Sequence, residues 1–208
     1  IKTSLEENLD MIRSSVAAAA DKGRESMFDC EHFFDGYKSN PDYALDCVRA
    51  AHEGGAAWVV LCDTNGGTLP SEVFEIVSTV RKAVPDAKLG IHCHNDAGVA
   101  VANSLAAIRA GARQVQGTIN GLGERCGNAD LITLIPTLVL KLGYETSIAE
   151  KNLPKLMQLS RMLDERLNRA PNAQAPYVGE AAFAHKGGLH ASAAQKDPRT
   201  YEHVPPDK

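Results

Sequence analysis

The sequence predicts an α/β fold in which strands and helices alternate as four β-α units. Strand-like segments end at Glu31, Asp63, His94 and Thr118, so that a polar or histidine residue recurs every 24 to 32 positions. A second observation is that the helix-to-strand turn at residues 54–59 is similar to the turn at residues 110–115. Strands and helices that alternate with this period indicate a parallel sheet.

The polar residues all come just after the strands, where the loops of a (β/α) barrel line the face that carries the chemistry. A closed TIM (β/α)8 barrel needs eight units and about 250 residues, whereas this sequence has 208 residues and four units. We therefore expect residues 1–143 to be the C-terminal half of a catalytic TIM barrel and residues 144–208 to be a helical and linker subdomain. An open doubly wound sheet is the alternative, but it does not explain the polar cluster at every strand end.

The first β-α unit is preceded by a helix. A capping box formed by Ser4 and Glu7 starts this helix, and Gly23 ends it. Residues 26–30 form a short strand, and the next helix begins at Asn40 and Pro41. The remaining predicted elements, in chain order, are a buried strand at 57–62, a helix at 71–84, a strand that ends at the histidines, a helix from 98 to 110 and a strand at 113–119.

The chain after the last strand is more varied. A glycine-rich loop occupies residues 120–128, and the helix that follows is divided by Pro136. Residues 146–170 have a helical pattern with Ser147 as a candidate cap, and the linker 171–176 comes next. The glycine-rich loop lacks the strand–helix context of a dinucleotide-binding motif, so that a tight turn is the simpler interpretation.

Composition narrows the classes of function. The formal net charge is −4 and no basic block is present, which argues against nucleic-acid binding. The five cysteines include no C-x-x-C pair, and this odd count is typical of reduced thiols in a cytoplasm-like compartment. No apolar run reaches about 18 residues, so no membrane span is expected. The first residue is Ile1 rather than Met, which suggests that the sequence begins inside a longer protein.

The chemistry is expected around His92 and His94. Alternate residues of a strand share one face about 7 Å apart, and two imidazoles placed in this way can hold one divalent metal ion. The competing interpretation is a hydrogen-bonded core histidine beside a loop histidine. A mixture of nitrogen and oxygen ligands suits Mn²⁺, Mg²⁺ or Zn²⁺ with open positions better than a closed structural zinc. The polar strand-end residues that we expect to converge are Glu31, Asp63, Thr64, His92, His94, Asn95, Asp96, Asn120, Glu124, Arg125 and Asn128.

Three motifs resemble a known family. They are H-C-H-N-D at 92–96 with Gly98, G-T-I-N-G-L-G-E-R-C-G-N at 117–128, and L-C-D-T-N-G at 61–66. The chain resembles the 2-isopropylmalate, homocitrate and citramalate synthases, which belong to a metallolyase superfamily of TIM barrels that includes the 3-hydroxy-3-methylglutaryl-CoA (HMG-CoA) lyases. The segments 29–37 and 184–190 look most similar to the citramalate synthase branch.

The resemblance implies a role for each matching residue. His92, His94 and Asn128 would be metal ligands, and Thr64 and Asn95 would bind the substrate. Glu31 would support proton transfer. His190 and Tyr201 would be catalytic residues that reach the active site of a partner subunit, which implies a homodimer.

The implied activity is a metal-dependent Claisen condensation of acetyl-CoA with a small α-keto acid. Pyruvate is favoured, which would give citramalate for isoleucine biosynthesis. The alternatives are 2-isopropylmalate synthesis from 2-oxoisovalerate, a retro-Claisen lyase or aldolase, and a non-enzymatic binding module. The family's first-strand Asp ligand and neighbouring Arg, and its C-terminal regulatory domain, have no counterpart in this sequence. We therefore expect the segment alone to be inactive and poorly soluble.

Overall fold

The computed structural model describes residues 2–205, so residue 1 and the last three residues of the predicted subdomain, 206–208, lie outside the described residues. The strands are β1 Met27–Cys30, β2 Trp58–Asp63, β3 Leu89–Cys93 and β4 Gln114–Gln116. The α-helices are α1 Leu5–Ala20, α2 Phe33–Ser39, α3 Pro41–Glu53, α4 Pro70–Ala83, α5 Ala100–Ala110, α6 Leu131–Pro136, α7 Lys155–Arg166 and α8 Gly188–Lys196.

The chain divides into two compact units. The sheet unit contains the described residues up to Thr118 together with Leu122–Ala129, and the C-terminal unit contains Ile119–Gly121 and the described residues from Asp130 onward. No helix within residues 2–205 is both long and apolar enough to cross a membrane.

The four strands form one parallel sheet in the order β1-β2-β3-β4. The predicted alternation of strands and helices is therefore confirmed in the sheet unit. The order of these strands does not reverse, whereas a doubly wound sheet has a switch point where it does. Consecutive parallel neighbours are the arrangement found in a (β/α) barrel.

The two faces of the sheet differ in polarity. Val59, Leu61, Leu89, Ile91 and Cys93 point toward the helices, and each is at most 2% exposed. They pack with apolar residues of the helices, among them Val73, Val77 and Val80 of α4. Val60 and Cys62, on the opposite face of β2, are also buried, and burial on both faces explains the nearly continuous apolar sequence of this strand.

The opposite face carries the polar residues, and the register aligns them. Cys62 is paired with His92, and His92 with Gln116. Because side chains alternate along a strand, the residue two positions away lies on the same face. This face therefore holds both the strand residues and those that follow directly after the strands, including the candidate site.

The sheet is strongly curved. In a flat sheet β1 and β4 would lie about 14 Å apart, which is three interstrand spacings. Nevertheless, Gln116 Nε2 of β4 donates to Asp29 Oδ1 of β1 at 3.0 Å, across the polar face. Side chains from the first and fourth strands meet only when the sheet curls toward this face, as it does in a barrel.

The helix before β1 begins at the predicted cap, but only half of the predicted capping box is formed, since the Glu7 carboxylate accepts from the Thr3 hydroxyl. The Ser4 hydroxyl accepts the backbone N–H of Glu7 at 3.0 Å and so satisfies one of the free donors of α1. Ile12 and Val16, one turn apart on the same side, are buried. Asn40 caps α3 in the same way, through the backbone N–H of Tyr43, with Pro41 as the first helical residue.

One helix of the sheet unit was not predicted. Helix α2 occupies the segment between β1 and α3, and it contains Gly36, which lowers helix propensity. Phe33 and Phe34 are buried with their rings 5.8 Å apart at 89°, and Tyr37 packs on Phe33 one turn later. This aromatic packing stabilises a short helix that its propensity alone would not.

Two predicted boundaries were wrong, and helix α8 was not predicted. Strand β4 covers three residues rather than 113–119. Helix α7 begins at Lys155 rather than near residue 146; a 3-10 turn, Glu150–Asn152, precedes it, and Ser147 is not its cap. The segment around His190 was not assigned to a helix but lies in α8. The division at Pro136 is confirmed, since α6 ends there and a π-helical turn, Thr137–Lys141, follows.

Candidate metal and substrate site

The structure brings the three candidate metal ligands together. His92 lies in β3 and His94 follows directly after it, with ring centroids 5.1 Å apart. Asn128 forms an isolated antiparallel bridge with His94. The side-chain Nδ2 of Asn128 lies 3.4 Å from His92 Nε2. Two imidazoles and one amide therefore converge at the end of β3.

The glycine-rich loop places Asn128. The backbone of Asn95 donates to the Gly127 carbonyl at 2.8 Å, and Ala129 donates to the Cys93 carbonyl at 3.0 Å. A Cβ atom on Gly123 would overlap Asn128 Oδ1, so the side chain of Asn128 occupies space that exists only because residue 123 is glycine. Gly127, at φ 91°, adopts a backbone conformation that other residues rarely reach.

Polar atoms at this point lack partners within the described protein. His94 Nδ1 and Asn128 Oδ1 are buried and make no hydrogen bond. His92 Nδ1, in contrast, lies 2.8 Å from Gln116 Oε1, which leaves Nε2 to face Asn128. A buried polar atom without a partner costs about 1–3 kcal/mol. A divalent cation bound to these atoms would remove this cost, so the residues fit a metal ion.

Electrostatics favour the neutral imidazole that a metal requires. Burial, followed by the neighbouring His92 and Arg125, lowers the pKa of His94. Within residues 2–205 no group of three His, Cys, Asp or Glu residues is placed to hold a metal ion. Two imidazoles and an amide oxygen would therefore form only part of a coordination shell.

Glu31 and Thr64 lie side by side at the ends of β1 and β2. The Thr64 hydroxyl donates to Glu31 Oε2 at 2.8 Å and accepts the backbone N–H of His32, also at 2.8 Å. His32 itself adopts the left-handed backbone conformation, at φ 54°. The carboxylate and the hydroxyl are thus oriented together.

Asn95 has a structural contact in addition to its predicted role. Its Oδ1 accepts the backbone N–H of Ala100 at 3.1 Å, at the start of α5. This bond satisfies one of the free donors at the helix N-terminus. The side chain of Asn95 is therefore held by the helix, which limits how it could bind a substrate.

Arg125 connects three of the loops. It makes a bidentate ion pair with Asp96, at 2.7 and 2.9 Å, and donates to the backbone carbonyl of Thr64 at 2.7 Å. The Arg125 guanidinium holds the pKa of Asp96 below its usual range. Because this pair is partly exposed, its main effect is geometric: it ties the glycine-rich loop to the loops that follow β2 and β3.

Two of the polar residues expected to converge have other hydrogen-bond partners. Asp63 points toward the helices, where it is 1% exposed and accepts from the Thr68 hydroxyl at 2.8 Å and from Asn103 Nδ2 at 3.4 Å. Burial raises its pKa. Asn120 belongs to the C-terminal unit, where it donates to Asp164 Oδ1 at 3.1 Å.

His190 and Tyr201 meet within the C-terminal unit. Their rings are stacked with centroids 4.3 Å apart, and both side chains are exposed. The Tyr201 ring also lies 5.9 Å from the ring of His185, whose Nε2 is 3.8 Å from Glu202 Oε1. The two predicted catalytic residues thus form one exposed pair.

Two residues of the polar face were missed from the sequence. Asp29 lies two positions before Glu31 in β1, and Gln116 lies two positions before Thr118 in the fourth unit. The available signal was that Asp29 and Gln116 alternate with the predicted strand ends Glu31 and Thr118, since alternate strand residues share a face. Their contact depends on the curvature of the sheet, which the sequence does not reveal.

Comparison with known proteins agrees with this architecture. The HMGL-like family matches residues 1–163, and the homocitrate synthase post-HMGL domain-like family matches residues 177–208. The (R)-citramalate synthases of Aquifex aeolicus and Synechocystis are 58% and 54% identical over 100% of this chain and 39% of their own length. A 2-isopropylmalate synthase of Sulfurisphaera tokodaii is 38% identical over 100% of this chain and 52% of its own length.

Among solved structures, the HMG-CoA lyase of Bacillus subtilis has a TM-score of 0.70 and 20% identity, over 84% of this chain and 60% of that chain. At this identity the likeness concerns the fold alone, and it shows that the four β-α units are part of a TIM barrel. The chain spans about 39% of the length of the citramalate synthases it matches. From the match over residues 1–163, the chain belongs to the HMGL-like family.

Proposed function

We propose that the full-length protein containing this chain is an acyltransferase that condenses acetyl-CoA with pyruvate to form citramalate. The observation that carries the proposal is the convergence of His92, His94 and Asn128, with unpaired buried atoms, on the polar face that also carries the Glu31–Thr64 pair. The (R)-citramalate synthases, at 58% and 54% identity, support pyruvate over 2-oxoisovalerate, whose synthase relative is 38% identical.

His92, His94 and Asn128 would hold a divalent metal ion, Mn²⁺, Mg²⁺ or Zn²⁺, together with ligands from elsewhere in the full-length protein. When bound, such an ion polarises a ketone oxygen as a Lewis acid. The protein contributes the ligand geometry. It fixes the two imidazoles at alternate positions at the end of one strand and leaves space for Asn128 beside Gly123.

Thr64 and Glu31 would act on the organic substrate. The Thr64 hydroxyl would hydrogen-bond the carboxylate of an α-keto acid by turning its single O–H from Glu31 to the substrate, while the His32 N–H would still hold its oxygen. Glu31 would support proton transfer at the reacting carbon, because a carboxylate within hydrogen-bond reach of the substrate can accept a proton. Asn95 would complete the substrate contacts through its Nδ2, since its Oδ1 is used by α5.

His190 and Tyr201 would act from the partner subunit of a homodimer, in the proton transfers and the thioester hydrolysis that end the reaction. Their stacking and exposure support this role, because an exposed pair is available to another subunit. We also propose that residues 1–143 form the C-terminal half of the catalytic barrel and residues 144–208 a helical subdomain. The five free cysteines support a reducing compartment such as the cytoplasm.

The test measures CoA release by the full-length protein through its free thiol, with acetyl-CoA and either pyruvate or 2-oxoisovalerate. We expect turnover to require a divalent metal and kcat/KM to be at least about tenfold higher with pyruvate. His92→Ala should abolish both metal binding and turnover, whereas His52→Ala, in the last turn of α3, should change neither. A tenfold preference for 2-oxoisovalerate would reject citramalate synthesis, and unchanged metal binding by His92→Ala would reject the metal site.

A further inference from the structure

Three side chains form a continuous hydrogen-bonded chain across the polar face of the sheet. Asp29 Oδ1 of β1 accepts from Gln116 Nε2 of β4 at 3.0 Å. Gln116 Oε1 in turn lies 2.8 Å from His92 Nδ1 of β3. Each atom of the chain belongs to a strand rather than to a loop, so the geometry is set by the register and curvature of the sheet.

Asp29 determines the direction in which the hydrogen bonds between these three side chains run. An ionised carboxylate has no donor hydrogen, so it can only accept. Gln116 must therefore turn its NH₂ group toward Asp29, which leaves its carbonyl oxygen facing His92. A carbonyl also only accepts, so His92 must carry its hydrogen on Nδ1.

The consequence reaches the candidate metal site. A neutral imidazole with its hydrogen on Nδ1 has its lone pair on Nε2, which is the nitrogen that faces Asn128. Without Asp29, the amide of Gln116 could rotate by half a turn and donate to His92 Nδ1, which would favour the tautomer with its hydrogen on Nε2. That tautomer would present an N–H group to the metal position, where it cannot bind.

We propose that Asp29 and Gln116 are positioning residues that set the tautomer of His92 and thereby prepare its Nε2 for a divalent metal ion. This inference rests on the proposed metal site and extends it to a carboxylate two residues before Glu31 and to a strand residue of the fourth unit. Residues that orient a ligand in this way typically change metal affinity by about 10- to 100-fold when they are replaced.

Three variants of the full-length protein test the roles of Asp29 and Gln116. Asp29→Asn keeps the shape of the side chain but no longer fixes the direction of the hydrogen bonds, because an amide can donate or accept. Gln116→Leu removes the connection without changing the net charge. The double variant Asp29→Asn and Gln116→Glu reverses the direction of the hydrogen bond between positions 29 and 116. The carboxylate at position 116 would accept both from the amide at position 29 and from His92. This variant should therefore restore the tautomer with its hydrogen on Nδ1.

The first measurement is Mn²⁺ affinity, by electron paramagnetic resonance. We expect each single variant to bind about tenfold more weakly and the double variant to bind at least as tightly as the wild type. Asp46→Asn, which removes a carboxylate that pairs with Arg49 on the surface of α3, is the control for loss of charge and should bind like the wild type.

The second measurement is the tautomer itself, read in the metal-free protein from ¹⁵N chemical shifts of labelled histidine, with the His92 signals assigned by their loss in His92→Gln. We expect one tautomer, with Nδ1 protonated, in the wild type and the double variant, and a mixture in the single variants. Persistence of that single tautomer in Asp29→Asn and Gln116→Leu would overturn the inference. If the wild type bound no metal, the proposed function would fail, while the tautomer would still decide the role of Asp29 and Gln116.

Discussion

At the scale of single residues, the candidate site depends on a glycine whose lack of a side chain leaves space for a candidate ligand. Asn128 fits beside the histidines because Gly123 has no side chain, and no other residue type would leave this space. The motif that contains both residues could be recognised from the sequence, and so could the convergence of His92 and His94. The sequence could not show that Asn128 Oδ1 and His94 Nδ1 would be buried without partners, because burial depends on the packed loops.

Gly123→Ala tests this packing. The φ angle of Gly123 is not in the left-handed region, so the backbone accepts alanine and the only conflict is the overlap of the new methyl group with Asn128 Oδ1. We expect Mn²⁺ affinity of the full-length protein to fall about tenfold or more, as it does when the surroundings of a ligand are disturbed. Gly67→Ala is the matched control, since a Cβ there meets no atom within 4 Å. Equal affinities for the two variants would contradict the proposed role of Asn128.

At Thr64, the contribution of the hydroxyl group can be separated from that of the side-chain volume. Thr64→Val keeps the volume but removes both hydrogen bonds of the hydroxyl, to Glu31 and from His32. We expect kcat/KM for the α-keto acid to fall by about tenfold to a hundredfold, because a lost hydrogen bond to a charged group is worth about 1.5–3 kcal/mol. Thr64→Ser keeps the hydroxyl and should stay within about threefold of the wild type. A fully active valine variant would exclude Thr64 from substrate binding.

At the scale of elements, periodicity predicted most of the sheet unit and failed where tertiary contacts decide. The alternation of apolar strands and amphipathic helices located β2, α4 and α5 to within a few residues. Helix α2 escaped because its stability comes from buried aromatic rings rather than from a repeating pattern. The expected orientation of Asp63 was wrong for a different reason. Asp63 lies two positions after Leu61 in β2, so alternation places it on the helix side, where the buried amide of Asn103 contacts it.

Asn103 links three elements, and its removal should loosen the loop that carries Thr64. It is 0% exposed, and its Nδ2 donates to the Thr68 carbonyl at 2.7 Å and to Asp63 at 3.4 Å. We expect Asn103→Ala to destabilise the loop after β2 by about 2 kcal/mol, because buried acceptors lose their donor. Hydrogen exchange of peptides covering residues 63–69 in the full-length protein should then become about thirtyfold faster.

Ser104→Ala, at the neighbouring position of α5, is the control for this prediction. Ser104 is also 0% exposed, but its hydroxyl donates to the Ala100 carbonyl within the same helix at 2.9 Å. A bond of this kind adds little to helix stability. Exchange in residues 63–69 should therefore stay within about threefold of the wild type. If both variants accelerated exchange equally, the link from Asn103 to the loop would not be the cause.

At the scale of the whole molecule, the curvature of the sheet explains how side chains from its two edge strands meet on the polar face. Strands β1 and β4 are the edges of the four-stranded sheet in the described part of the chain, yet Asp29 and Gln116 meet across it. Curvature brings residues of all four strands to one polar face, as the barrel requires. The sequence predicted the barrel from the spacing of its units, but it did not predict which side chains the curvature would join.

The two edge strands of this sheet are unpaired on one side in the described part of the chain. Each of β1 and β4 pairs with only one neighbour among the described strands, so that each presents a row of free N–H and C=O groups. Unpaired edges of a parallel sheet promote association between chains. We expect residues 1–208 expressed alone to sediment as aggregates and to show no metal-dependent CoA release, while the full-length protein sediments as a defined species and is active. Co-expression with the remaining barrel segment of the same protein, as a separate chain, should increase the soluble fraction, because the added strands would cover both edges. A soluble isolated segment with robust turnover would show that this sheet unit and the C-terminal unit already contain the complete site.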